Sequence, residues 1–202
     1  MLAINPVIRI LVISDLFVLA GIGLFSPILA IFISDQIEGG DAQVAGFASA
    51  IYFLMWVFQI PVGKYLDRNH GDRDDFWFLV SGAFITSLVP FLYLFVSLPW
   101  HVYLLQALMG LGRAIDLPPW YALFTRRIDK SREGFDWSIE NVSAGLGLAA
   151  TGALGGTIAK WYGFEAVFIF AGVLSIVGSL ILLTLHKYAY EKERKDAAKP
   201  PA

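Results

Sequence analysis

Apolar residues run almost without interruption through six stretches of this chain, near 7–34, 42–62, 76–97, 100–124, 136–159 and 163–185, separated by short polar or glycine-bearing joints. About 20 apolar residues in a helix cover a hydrocarbon core of ~30 Å, so each stretch predicts a membrane-crossing helix. The runs are continuous rather than alternating, which argues for helices over a membrane β-barrel. The first run is too long, and too polar at Ser14 and Asp15, for a cleavable signal, and it reads as a retained first helix. The pattern therefore predicts an all-α, polytopic bundle. A transmembrane domain occupies 1–185, and a tail of mixed charge over 186–202 ends in Lys-Pro-Pro-Ala.

Composition sharpens this reading. The chain is 57% hydrophobic and 16% charged, against about 25% charged for a soluble domain. A soluble enzyme, a disordered protein and a nucleic-acid binder are excluded. With no cysteine there is no disulfide, thiolate metal site or cysteine nucleophile. The net charge of −2 adds nothing, but the placement of the charges does. With the N-terminus inside, 13 of the 15 Lys and Arg fall on one side: Arg9, the joints at 64–73 and 126–132, and the tail. Only Lys160 falls outside, and Arg113 lies within a run. The positive-inside rule then puts both termini in the cytoplasm of a cell (plasma or inner) membrane. Trp77 and Trp137 fall at the inner headgroup level, and Trp100 and Trp161 at the outer.

Runs 1, 4 and 5 carry charge between their ends: Asp15, then Arg113 and Asp116, then Glu140. A charge deep in lipid costs about 2.5–3.5 kcal/mol or more, so these residues should face protein or a wet cavity. At ~1.5 Å per residue, Asp15 and Arg113 both lie ~12 Å from the inner face. An interhelical Asp15–Arg113 pair is thus allowed, in competition with a local Arg113–Asp116 pair at i, i+3. Such a cluster reads as a substrate or coupling-ion site; the alternative is a buried network that only fixes helix register. Run 1 has Gly21-Ile22-Gly23 before Pro27, and run 4 has Gly110-Leu111-Gly112 before Pro118-Pro119. Helix-breaking residues at corresponding places in two halves point to a binding site in repeat-built transporters. Run 5 is rich in small residues, with Gly145, Gly147, Gly152, Gly155 and Gly156, which suits close packing against another helix. His70, His101 and His186 all lie at loops or membrane interfaces, unsuited to a metal site or an intramembrane proton relay. No catalytic constellation and no cofactor motif appears, so an enzyme is not expected.

Gly63-Lys64-Tyr65-Leu66-Asp67-Arg68, after run 2, resembles the opening of motif A of the major facilitator superfamily. Gly110-Leu111-Gly112 resembles that family's motif B in helix 4, with Gln106 where members carry an Arg. Gly147 with Gly155-Gly156 resembles the helix-5 antiporter motif, with Thr151-Gly152 at its Gly-Pro. The resemblance spans roughly 7–185 and corresponds to the N-terminal six-helix half of the usual twelve, a half bundle built as a 3+3 repeat. It implies a secondary transporter moving a small solute by alternating access. It also implies a cavity bearing Asp15, Gln106, Arg113, Asp116 and Glu140, and a gating loop at Gly63, Asp67 and Arg68. The expected partners are the solute, a coupling proton or cation, membrane lipid and a second copy of the chain, with no nucleic acid. In such a homodimer Gly63 meets the glycine-rich run 5 of the partner. The competing readings are a non-transporting assembly or lipid-handling protein, and one subunit of a heterodimeric transporter.

Overall fold

A computed structural model describes residues 5–69 and 71–190; His70 and the tail from Glu191, with Lys192, Arg194, Lys195 and Lys199, lie outside the described residues. Among the described residues every regular element is helical. Helix α1 (Pro6–Phe25) starts under an Asn5 cap, whose side-chain oxygen accepts the Val7 N–H at 2.9 Å, with Pro6 at its first position. Proline lacks an N–H and crowds the carbonyl four residues back. Accordingly Pro27 sits in a 3₁₀ turn, Ser26–Ile28, that separates α1 from α2 (Leu29–Gln36). The same device recurs at Pro61, where a 3₁₀ turn at Met55–Phe58 divides α3 (Ala42–Leu54) from α4 (Gln59–Asn69). Asp41 caps α3 by accepting the Val44 N–H at 2.8 Å.

Helix α5 (Asp72–Leu92) and helix α6 (Pro99–Arg127) follow, joined by a short turn. Helix α7 (Glu133–Leu182) has 50 residues, which would reach about 75 Å if straight. It is not straight. Gly163 adopts φ 84° and ψ 169°, a conformation that suits glycine because there is no Cβ to clash. Positions rising along α1 meet rising positions before Gly163: Leu16 lies against Gly147, and Leu24 against Gly155. After Gly163 they meet falling ones, with Gly21 against Ser175 and Val18 against Gly178. The chain therefore reverses at Gly163, and α7 is two antiparallel arms with α1 between them.

Two aromatic-rich cores flank a middle layer of small and polar residues. One gathers Phe25, Phe32, Tyr93 and Phe168, with Tyr93 stacked on Phe168 at 5.0 Å. The other gathers Ile8, Leu11, Phe76, Trp120, Phe124 and Leu185, and Ala189 is buried with them, so the last helix continues packing beyond residue 185. In the middle layer backbones approach closely. Ser14 Oγ donates to the Gly178 carbonyl at 2.9 Å, and the hydroxyls of Ser87 and Ser179 share a hydrogen bond of 2.8 Å.

Among the described residues, four segments are long and apolar enough to cross a membrane: Pro6–Gln36, Ala42–Arg68, Asp72–Phe95 and Glu133–Tyr190. The difference from the six predicted runs has two causes. Gln106, Arg113, Asp116 and three prolines dilute α6, and the fifth and sixth runs are counted together because only the turn at Gly163 separates them. The α3–α4 pair buries only Ala48 and Leu66 among its apolar side chains and exposes Phe47, Phe53, Leu54, Val57, Phe58 and Ile60. Exposed apolar surface on this scale suits lipid or another protein face rather than water.

Candidate functional site

The charged residues singled out in the sequence converge on the middle layer. Asp15 comes from α1, Arg113 and Asp116 from successive turns of α6, and Glu140 from the first arm of α7. Arg113 Nη1 donates to Asp116 Oδ2 at 3.0 Å and lies 4.0 Å from Asp15 Oδ1. The local pair is therefore the tight one, and the interhelical pair is the looser second contact. The carboxyl group of Glu140 faces Asp15 and lies within electrostatic reach of Arg113. Arg113, Asp116 and Glu140 are buried, at 8%, 2% and 8% exposure. Asp116 Oδ1 and Glu140 Oε2 have no hydrogen-bond partner among the described residues, and neither do the indole nitrogens of Trp56 and Trp120.

Three carboxyl groups thus surround one guanidinium. Fully ionised, the set carries two uncompensated negative charges, and burial makes them expensive. Such a site favours whatever brings positive charge into it, whether a proton or a cation.

Local geometry explains how α6 reaches this layer. Gly112 lies against Thr86 and the Gly82 carbonyl, and Gly82 lies against the backbone of Asp116. On its other side Gly110 touches the Tyr52 carbonyl and Met55. The glycines of the Gly-x-Gly pair therefore seat α6 between α5 and α3, and Arg113 follows directly. Asp116 is thus placed by backbone contact.

Next to the charged cluster lies a cavity of about 230 Å³ between α1, α3 and α6, bounded in part by Ser26, Ser49, Tyr52, Phe53, Gln106 and Met109. Gln106 Nε2 donates to the Tyr93 hydroxyl at 2.8 Å, which ties this wall to the nearer aromatic core. Tyr52 joins cavity and cluster, since it lines the one and lies within electrostatic reach of Arg113 and Asp116. Sequence reasoning did not single out Tyr52, Trp56, Ser26 or Ser49. The available signal was a hydroxyl or indole at helical spacing on an otherwise apolar run, which is weak because such residues are common in membrane helices.

The motif-A residues lie apart from this cluster. Asp67 and Arg68 are exposed near the end of α4 and form no ion pair among the described residues, and a Cβ at Gly63 would stand 4.0 Å from Pro118. A different network closes that end of the bundle. Arg126 pairs with Asp75 and with Asp72 at 3.3 Å, and Arg127 pairs with Asp72 at 2.6 Å. The spacing of Asp72 and Asp75, one helical turn apart opposite two consecutive arginines, was visible in the sequence but not read. In the following loop, Asp129 accepts from the Ser131 amide and hydroxyl, which holds its carboxyl below the usual carboxylate range. His101 Nδ1 accepts from the Ser97 and Leu98 amides at the start of α6, a capping role.

The run-5 glycines divide between two faces. Gly147 and Gly155 lie against α1, and Gly152 stands near Pro27. Gly145 and Gly156 meet nothing within 4 Å among the described residues.

The family model for the Major Facilitator Superfamily matches residues 11–202. The human voltage-gated purine nucleotide uniporter SLC17A9 is 26% identical over 84% of this chain and 38% of its own length. An uncharacterised MFS-type transporter of Methanocaldococcus jannaschii is also 26% identical, over 87% of this chain and 44% of its own. The chain thus spans less than half the length of these curated relatives. Among solved structures, the crystal structure of the POT family transporter PepTSo superposes with a TM-score of 0.73 over 90% of this chain and 37% of that one, at 14% identity, a likeness of fold. The apolar helices, the fold and the family match agree: this is an integral membrane protein, and the chain belongs to the major facilitator superfamily.

Proposed function

We propose that the chain is a transporter unit that moves a small solute by alternating access, through a path containing Asp15, Gln106, Arg113, Asp116 and Glu140. The observation that carries this reading is a buried, charge-unbalanced cluster, drawn from three helical segments, beside an open cavity. A charge network needed only for register tends toward internal neutrality, whereas this one carries an excess of carboxylates that suits a coupling proton or cation. Six crossings arranged as two three-helix repeats, with both termini cytoplasmic, account for the one-sided basic residues and for the reversal at Gly163. Gly63, Asp67 and Arg68, which the sequence suggested as a loop, lie on the last turns of helix α4 and form a cytoplasmic gate in this reading. Uptake of candidate solutes into vesicles containing the purified protein, with and without a pH gradient, tests it. Single cysteines replacing Lys160 and Lys130 should be labelled from opposite sides of the membrane, and labelling of both from one side would overturn the orientation.

A second copy of the chain completes the path. The exposed apolar face of α3–α4 and the outward glycines Gly145 and Gly156 support this. With both ends on one side, two copies sit parallel about an axis along the membrane normal, and each contact occurs twice. Cysteines introduced at Gly63 and Ala144 are expected to crosslink between chains in native membranes. A monomeric mass in mild detergent together with no crosslink would leave a single unit or a different partner.

A further inference from the structure

We propose that the solute is an organic cation with an apolar, aromatic-compatible body: the body occupies the cavity beside α3, and the charged end lies among Asp116, Asp15 and Glu140. This rests on the transport reading of the same site and adds the class of solute.

Charge decides the sign. Among the described residues Arg113 is the only cation of the cluster, and it is already held by Asp116 at 3.0 Å and Asp15 at 4.0 Å. An anionic solute would have to displace these carboxylates and then face Glu140 as well. A cation meets two carboxylate oxygens, Asp116 Oδ1 and Glu140 Oε2, that are buried and have no partner among the described residues. Each is a vacant acceptor in a place where an unpaired acceptor is costly.

The cavity decides the body. Among the described residues that line it none is charged, and its polar groups are hydroxyls and one amide already bonded to Tyr93. Tyr52, Phe53 and Trp56 stand edge to face at 5.0–5.7 Å beside it. Such rings favour a cation or an aromatic group over an anion. Along α6 the cavity-lining Met109 lies seven residues before Asp116, about 10 Å of rise. A compact aryl body with a cationic end spans that distance.

The test uses the full chain in lipid nanodiscs and radiolabelled 1-methyl-4-phenylpyridinium as probe. Competitors are the neutral isostere 4-methylbiphenyl, the anion biphenyl-4-carboxylate and adenosine triphosphate. Saturable binding of the cation is expected, with each competitor weaker by about tenfold or more. Glu140→Gln should weaken the cation by about tenfold and narrow the gap to the neutral isostere. It removes a charge without stripping Arg113 of its nearest partner. Should that variant fail to fold, Ser49→Leu, which fills the cavity and leaves every charge in place, is expected to weaken the cation as well. No saturable cation binding, equal displacement by 4-methylbiphenyl, or tighter binding of either anion would overturn the proposal. Binding without uptake of the probe into proteoliposomes keeps the solute class and removes the transport reading. Uptake of adenosine triphosphate with no cation binding does the reverse.

Discussion

Arg113→Gln is expected to reduce solute uptake to the level of empty vesicles and to lower the yield of folded protein. The substitution leaves Asp15, Asp116 and Glu140 facing one another without a cation, and breaking a buried pair from one side costs about 3–5 kcal/mol. Asp116→Asn should come next in severity, because its bond to Arg113 is 3.0 Å, and Asp15→Asn last, because its contact is 4.0 Å. Arg113→Lys keeps the charge but loses the planar fork, so partial uptake is expected. The informative variant is the double change Arg113→Gln with Asp116→Asn. It removes the cation and its nearest anion together, so folded yield should recover relative to Arg113→Gln. Uptake per folded molecule should not. If the double variant transported like the parent, the cluster would be a register device and nothing more.

The second large effect concerns two adjacent glycines. Gly155→Ala is expected to prevent accumulation of monodisperse protein, whereas Gly156→Ala should fold as the parent does. A Cβ at Gly155 would overlap the Leu24 carbonyl oxygen and stand 2.8 Å from its carbon, against backbone that has no rotamer with which to yield. Overpacking a close helix contact costs about 1–3 kcal/mol and more when backbone must move. A Cβ at Gly156 meets nothing within 4 Å among the described residues. Size-exclusion profiles and thermal unfolding in mild detergent measure both. If Gly156→Leu folds normally yet abolishes crosslinking between Gly63 and Ala144 positions, that glycine belongs to the contact between copies.

Depth along a helix was legible from residue counting, which brings Asp15 and Arg113 to one layer. Azimuth was not. Nothing in the run told whether Arg113 would turn toward α1 or stay with Asp116 one turn on, because both geometries satisfy a buried guanidinium. The small residues of run 5 show the same limit. Their number announced close packing, but the stripe that meets α1 is Gly147, Thr151 and Gly155, while Gly145 and Gly156 point away. Spacing alone allows either set, since each recurs at intervals a helix can stack. The joint at 160–162 was legible as a break, but the backbone of the turn was not, for the residue that leaves helical geometry is Gly163, which the pattern made the first of the sixth run. The ion pairs of Asp72 and Asp75 with Arg126 and Arg127 escaped notice because charges near a membrane surface have water as an equally good partner. Tyr52 escaped because a tyrosine in an apolar run reads as core until a neighbouring helix gives its hydroxyl a direction.

The placement of α1 between the two arms of α7 also governs the order of assembly during synthesis. Ser14 bonds to the carbonyl of Gly178, 164 residues later. At about 5–20 residues per second, a ribosome needs roughly 10–30 s to make the intervening chain. For that interval the first helix is already emitted, while the glycine-lined slot that receives it does not yet exist. Its Asp15 must meanwhile be tolerated by the insertion machinery or by α6, which arrives with Arg113 about midway through that interval. The closing of the sixth run over the first is therefore the last of these contacts that synthesis allows. A nascent chain halted before the sixth run leaves the edge of the first helix at Ser14, Val18 and Gly21 without the contacts that Gly178 and Ser175 supply.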